Sequence, residues 1–247
     1  MVRSLHLHRD GDFRDRVAPI LMIQSRGQAH TGNQSQPGLV TITSIKRSKR
    51  SSGRVAVHFA DGSTLILPLE VVMTSGLRVG LDLDDQRLEE LRASAERWRC
   101  RESALRLVAF RPRSQHELRG RLLRRGFDSQ DIDAVVEDLT RAGLLDDAAF
   151  AAAFAHDRLR QRPVAHRLLV AELRSRGIDE ATARSAAQNA YSEGGEDDVE
   201  LARRAARRFR RRRGEDDLRA KKRFFALLAR RGFQRETIEA VAKEFLG

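Results

Sequence analysis

Between Arg203 and Arg213 the chain places eight arginines in eleven positions, with no acid among them. A guanidinium stays charged at any working pH and presents a planar fork of donors that matches phosphate or carboxylate oxygens. Residues of that type at that density bind polyanions; they do not make or break bonds. Some of the charge runs elsewhere read as solvated helix faces laced by i,i+4 ion pairs. In this run self-repulsion costs stability unless an anion is supplied. The same chemistry recurs at Arg119, Arg121, Arg124 and Arg125, at Arg174 and Arg176, and at Lys221, Lys222, Arg223, Arg230 and Arg231. With Arg203, Arg204, Arg207, Arg208 and Arg211, these are the candidate contacts to a polyanionic partner. The whole chain agrees: 47 Lys and Arg against 35 Asp and Glu give a formal net charge of +12 over 247 residues. Nucleic acid is the simplest partner for that balance.

Residues suited to catalysis are scattered by comparison. His6 and His8 alternate but have no third ligand nearby, so they read as part of a tag-like tail. His116-Glu117 fits a helix capping box better than acid–base work. Asp146-Asp147 reads as a helix cap favoured by the N-terminal dipole rather than as a metal pair. Cys100, the single cysteine, lacks a histidine partner in local sequence and reads as packing. There is no glycine-rich loop of the P-loop or dinucleotide type. The sequence predicts no enzyme, no metal and no cofactor. A single cysteine allows no intrachain disulfide, and a reducing, cytoplasmic setting is expected. No apolar run reaches the ~18 residues of a membrane span. Ile20-Leu21-Met22-Ile23, preceded by Asp10, Asp12 and Asp15, is too short for the core of a signal peptide.

What must position the arginines is a repeated helical unit. Leu118 and Leu122 precede Arg125-Gly126-Phe127, and Ile132, Val135 and Leu139 follow. Leu169 and Leu173 precede Arg176-Gly177-Ile178, and Ala183, Ala186 and Ala190 follow. Phe224 and Leu228 precede Arg231-Gly232-Phe233, and Ile238, Val241 and Phe245 follow. Measured from the glycine, positions −8, −4, +1, +6, +9 and +13 are apolar in all 18 instances, in a chain that is 40% hydrophobic. Residues four apart share a helix face, glycine takes the positive φ that ends a helix, and the later offsets follow helical spacing again. Each unit is a helical hairpin that cannot bury its apolar face alone, and the glycines recur 51 and 55 residues apart, so a stacked repeat protein is expected.

In chain order, residues 1–37 are expected to form a disordered tail, rich in Gly, Ser, Gln and Asn toward its end. Residues 38–83 form a small antiparallel β region with a connector. There Val55, Val57 and Phe59 alternate, Asp61-Gly62 turns, and Leu65, Leu67 and Leu69 alternate again. Leu39 to Ile45 supplies a third strand, Lys46-Arg47-Ser48-Lys49-Arg50 a basic hairpin tip, and Glu70 to Leu83 the connector. Residues 84–111 form a linking helix with Leu88, Leu91, Ala95 and Trp98 on one face, stopped by Pro112. Helical repeats fill 112–162, 163–213 and 214–247. The first two add a third helix, carrying Phe150, Ala153 and Phe154 inward in one and Val199, Ala202, Ala206 and Phe209 in the other. The last is truncated and acts as the cap. The fold class is mainly α, an elongated tandem repeat of three-helix units behind a small sheet. The alanines of the second repeat bury less, by about 0.8 kcal/mol per missing methylene, so it should depend most on its neighbours.

Arg113-Ser114 with Glu117-Leu118 and Leu122, Gly143-Leu144-Leu145-Asp146-Asp147 with Phe150-Ala151, Leu173 with Arg176-Gly177-Ile178, and Leu228 to Arg231-Gly232-Phe233 stand in an order that resembles the RecX family. The resemblance covers residues 38–247. Arg162-Pro163-Val164 departs from it, where the family tends to carry a Gly-containing turn. RecX proteins regulate the RecA recombinase. The resemblance implies a non-enzymatic partner of the RecA–single-stranded-DNA filament, and the chain itself is expected to be a monomer. Such a partner lies along the helical groove, suppresses ATP hydrolysis and strand exchange, and limits filament growth in homologous recombination, DNA repair and the SOS response. The basic residues would then touch DNA phosphates or acidic RecA patches without reading sequence. From another class, an autonomous nonspecific nucleic-acid-binding protein would use its helical triplets like helix-turn-helix units. On the repeat reading, truncation after Tyr191 removes the terminal cap. Thermal unfolding should then show a lower Tm together with lost activity, and an unchanged Tm would contradict a stacked array.

Overall fold

The computed structural model describes residues 38–47 and 53–246. The expected tail of residues 1–37, with His6 and His8, and residues 48–50 of the basic hairpin tip lie outside the described residues. Strands β1 (Leu39–Arg47), β2 (Arg54–Phe59), β3 (Thr64–Pro68) and β4 (Asp82–Asp84) form an antiparallel sheet in the order β3-β2-β1-β4. Alternation sends Val55, Val57, Phe59 and Leu67 to one buried face with Ile42. Gly62, at φ +82°, makes the β2–β3 turn, and the Asp61 carboxylate accepts from the Ser63 N–H at 2.8 Å. The connector is more ordered than the sequence suggested. It holds a short helix, α1 (Leu69–Thr74), and the edge strand β4. Three residues are too few to show a period; what fixes β4 is the burial of Leu83.

Helix α2 (Asp85–Phe110) runs 26 residues from an Asp84 cap whose side chain accepts from the Arg87 N–H. Its first half packs Leu88, Leu91 and Ala95 on the sheet. Its second half gives Cys100, Ala104 and Leu107 to a separate helical core. Trp98 departs from the expected core role: it is half-buried, and the Arg54 guanidinium lies 4.7 Å from its ring centroid. Helices α3 (Gln115–Leu123), α4 (Ser129–Arg141), α5 (Asp147–Gln161), α6 (His166–Arg174), α7 (Glu180–Gly194), α8 (Asp198–Ala206), α9 (Asp217–Ala229) and α10 (Arg235–Leu246) follow. Asp128, Asp146, Asp179, Asp197 and Asp216 accept backbone N–H bonds at the starts of α4, α5, α7, α8 and α9.

The glycine grammar has one geometry in all three copies. Gly126, Gly177 and Gly232 sit at φ +82°, +82° and +85°. The next residue's N–H reaches back to the carbonyl at −4, from Phe127 to Leu122 at 3.4 Å, Ile178 to Leu173 at 3.3 Å and Phe233 to Leu228 at 3.3 Å. Of the 18 apolar positions, all are buried except Phe127 and Phe245, which are half-buried. The third helices choose their partners differently from the sequence reading. α5 packs with α6 and α7, α8 with α9 and α10, and the second half of α2 with α3 and α4. The helix read as the last of each repeat thus packs as the first of the next. α5 turns Phe150, Ala151, Ala155 and Leu159 inward and leaves Ala153 exposed. Phe209 lies beyond the end of α8 yet is buried, edge-on to Phe224 at 5.1 Å between centroids.

Successive units join at the glycine turns. The Arg176 carbonyl accepts from Ser114 Oγ at 2.6 Å, while the same hydroxyl accepts from the Glu117 N–H at 3.1 Å. The Arg231 carbonyl accepts from the Ala165 N–H at 2.9 Å, and the Gly232 carbonyl from Arg167 Nε at 2.6 Å. Ser114 and Ala165 each lie 12 residues before the glycine of their own unit, so both junctions use the same place in the repeat. Glu117 completes only half of the expected capping box; its side chain pairs with Arg111 at 2.9 Å instead. A Cβ at Gly177 would meet His116 Cβ at 2.1 Å, and one at Gly232 would meet Leu168 Cβ at 2.7 Å, whereas Gly126 has nothing within 4 Å. Gly126→Ala therefore carries only the left-handed backbone cost of about 1 kcal/mol. Gly177→Ala and Gly232→Ala add an overpacking cost of ~1–3 kcal/mol. Urea unfolding should rank the three accordingly; equal losses would contradict the junction geometry.

Candidate polyanion-binding groove

The arginine run lies where three helix ends converge. α8 ends at Ala206, and the chain from Arg207 turns back through Gly214, at φ +74°, into α9. α9 ends just before Arg230-Arg231, and α5 ends just before Arg162-Pro163. Cations at helix C-termini are stabilised by the dipole and by unpaired carbonyls. That offsets part of the repulsion among them.

A groove of two adjoining concavities, of about 620 and 560 Å³, opens between these ends, and both are lined by Ala205, Arg208, Leu227, Arg230 and Arg231. Arg158, Arg160, Arg162, Arg204 and Arg207 complete the first. Phe209, Arg210, Arg211, Arg212 and Arg223 complete the second. No Asp or Glu lines either. Some of these cations are matched nearby: Arg158 with Glu172, Arg160 with Asp157, Arg204 with Glu196, Arg211 with Asp217 and Arg223 with Glu215. Among the described residues, Arg162, Arg207, Arg208, Arg210, Arg212, Arg230 and Arg231 have no carboxylate partner. Burial first, and then the charges of Arg158, Arg162 and Arg208, push the Arg231 guanidinium pKa below its ordinary value. An anion seated there would relieve that interaction.

Seven of the expected contacts line this groove: Arg204, Arg207, Arg208, Arg211, Arg223, Arg230 and Arg231. The others stand elsewhere. Arg119 pairs with Asp133 at 2.9 Å, and Arg125 donates to Ser103 Oγ. Arg174 pairs with Glu180 at 2.8 Å. Arg176 stacks 4.0 Å over Phe154 and donates to the Glu172 carbonyl. Arg203 ties α8 to α10 by holding Glu244 through two nitrogens at 2.7 and 2.8 Å. Arg121 and Arg124 are exposed on the first repeat hairpin. Lys221 and Lys222 line a separate concavity with Leu218, Phe225, Arg235 and Glu239. Sequence reasoning missed Arg158, Arg160 and Arg162, and did not single out Arg210 and Arg212. Arg210 and Arg212 were visible in the run itself. The alternation of Arg158, Arg160 and Arg162 ahead of Pro163 was the available signal for the other three.

A separate concavity of about 720 Å³ is lined by His156, Tyr191, Glu193, Glu196 and Arg204 among others. Its groups satisfy one another: His156 with Glu193, Arg204 with Glu196, and the Tyr191 hydroxyl donating to the Val164 carbonyl at 2.7 Å. Cys100 is fully buried, and burial, then Asp131 and Glu96, push its thiol up to about 11. At neutral pH it is not a nucleophile. No cluster of three metal-ligating side chains occurs among the described residues, and no helix there is long and apolar enough to cross a membrane.

The chain matches two family signatures, described as "RecX, first three-helix domain" over residues 100–139 and "RecX, second three-helix domain" over residues 146–186. These spans begin on the second half of α2 and on α5, the same grouping that packing gives. Regulatory protein RecX of Amycolatopsis mediterranei is 35% identical over 149 residues, covering 60% of this chain and 83% of that one. The Corynebacterium efficiens protein of the same name is 33% identical over 167 residues, covering 66% and 77%. The Clostridium perfringens protein is 31% identical over 121 residues, and the match spans just over half of it, 57%, and 49% of this chain. A crystal structure of regulatory protein RecX superposes with a TM-score of 0.63 at 20% identity, covering 83% of this chain and 99% of that one. By sequence, helix grouping and fold, the chain belongs to the RecX family of regulatory proteins.

Proposed function

We propose that this protein is a cytoplasmic, monomeric negative regulator of the RecA recombinase. It binds the RecA–single-stranded-DNA filament and inhibits ATP hydrolysis, strand exchange and filament growth, so that it restrains recombination, repair and the SOS response. Family membership supports the partner. The groove at the α5, α8 and α9 ends supports the mode of contact: it gathers unmatched guanidiniums and no acid. Guanidiniums so placed position a phosphate backbone without reading its bases. Salt-sensitive, sequence-independent binding follows.

The test is RecA ATPase activity on single-stranded DNA with the protein at substoichiometric amounts. Inhibition at low ratios is expected. Combined Arg207→Glu, Arg208→Glu and Arg230→Glu, at residues without carboxylate partners among the described residues, should raise the half-inhibitory concentration more than about tenfold with helicity unchanged. Retained inhibition would remove the groove from the contact surface. Absence of inhibition by the unaltered protein, alongside tight salt-sensitive binding to naked duplex, would favour an autonomous nucleic-acid-binding protein.

A further inference from the structure

The segment from Arg207 to Gly214 should splay apart, since its arginines repel one another and α8 has already ended. It is instead sewn down by one acid. The Glu215 side chain is only 7% exposed. Its carboxylate accepts from Arg223 Nη1 at 2.7 and 2.8 Å and from the Arg212 N–H at 2.9 Å. The Glu215 N–H in turn donates to the Arg212 carbonyl at 3.0 Å. Arg223 carries the stitch onward: its Nη2 donates to the Arg210 carbonyl at 2.9 Å, and its guanidinium lies 4.9 Å from the centroid of Phe209, which is packed on Phe224. The Arg212 N–H, helped by Arg223, holds the Glu215 carboxyl below its usual range. Asp217 makes the contrast. Its side chain is 92% exposed and pairs with the Arg211 side chain, so it contributes charge without accepting from a backbone N–H among the described residues.

From this arrangement we infer that Glu215 is a positioning residue of the groove, whose carboxylate strengthens polyanion binding by fixing the Arg207–Gly214 segment so that Arg208, Arg210 and Arg212 face the ligand. The inference rests on the reading of the groove as a phosphate site. Charge alone predicts the opposite sign, because removing an acid from a basic surface should tighten binding. Preorganisation wins because ordering several arginines at the moment of binding costs more than one partly neutralised carboxylate repels.

The experiment uses the full chain and fluorescein-labelled oligothymidylate, with anisotropy read across salt concentrations. Glu215→Gln is expected to weaken binding about tenfold and to flatten the slope of log K against log salt by one or two contacts, at roughly 0.7 per contact. Asp217→Asn should bind as tightly as the unaltered chain, or more tightly. Glu215→Asp keeps the charge but is one methylene too short to hold Arg223 and Arg212 together. It should weaken binding as well, and it serves if the glutamine variant does not fold. Equal or tighter binding by Glu215→Gln, with circular dichroism unchanged, overturns the proposal. Trypsin provides an arm that needs no nucleic acid: cleavage after Arg207 to Arg213 should become several-fold faster in Glu215→Gln and not in Asp217→Asn. Unchanged cleavage would show that Glu215 does not hold the segment. Failure of the unaltered chain to bind oligothymidylate, with cleavage accelerated as expected, would instead sink the phosphate reading of the groove.

Discussion

The array depends on the close approach of a glycine turn in one unit to the start of a helix in the unit before. At Gly177 and Gly232 the backbone of one unit sits where any side chain would collide with the Cβ of His116 or Leu168. The carbonyls flanking the turn are answered across the junction by Ser114 Oγ, the Ala165 N–H and Arg167 Nε. Two needs are met at once. The last carbonyls of a helix must find donors, and a repeat must find a neighbour to cover its apolar face. Ala165 shows how strongly the junction dominates local preference. It begins α6 with no side-chain cap, where Ser114 begins α3 with one, and its N–H is taken by the neighbouring unit.

Once the units are locked at these turns, the ends of α5, α8 and α9 meet, and their arginines have to share one space. The structure makes that bearable by local means. Helix ends contribute partial negative charge. Carboxylates outside the groove take some guanidiniums away from it, as Glu172 does for Arg158 and Glu196 for Arg204. Arg203, in the same run, is diverted to Glu244 on α10 and to Glu200 on its own helix. What is left over is concentrated on the groove. The division between paired and unpaired arginines is therefore made in three dimensions, since neighbouring members of a single run differ in their carboxylate partners.

That division explains what was legible beforehand. The glycine grammar showed the helical hairpins because it fixes local geometry, and the positive φ and the stripe of buried positions follow from a few residue types. Helix partners were less legible. α5 and α8 follow their hairpins closely in sequence, but burial of Phe150, Ala151, Ala155 and Leu159 in the core of the next hairpin sets their packing. β4 was too short to show a period. Trp98 lay on the apolar stripe of α2, yet the stripe runs from one core to another and the indole falls between them, under Arg54. For the groove, arginine density pointed to the run that supplies much of its lining. It could not separate Arg203 and Arg204, which are spoken for, from Arg207 and Arg208, nor add Arg158 and Arg162 from a helix some 45 residues earlier. Only the fold brings those ends together.

The central claim is that the unmatched guanidiniums of the groove meet phosphates. The salt dependence of binding to the RecA–single-stranded-DNA filament measures this most directly. Five or six phosphate contacts predict a slope of log K against log salt between about −3.5 and −4.2 for single-stranded DNA. A slope near zero, with inhibition intact, would contradict the account and place the contact on an uncharged protein surface.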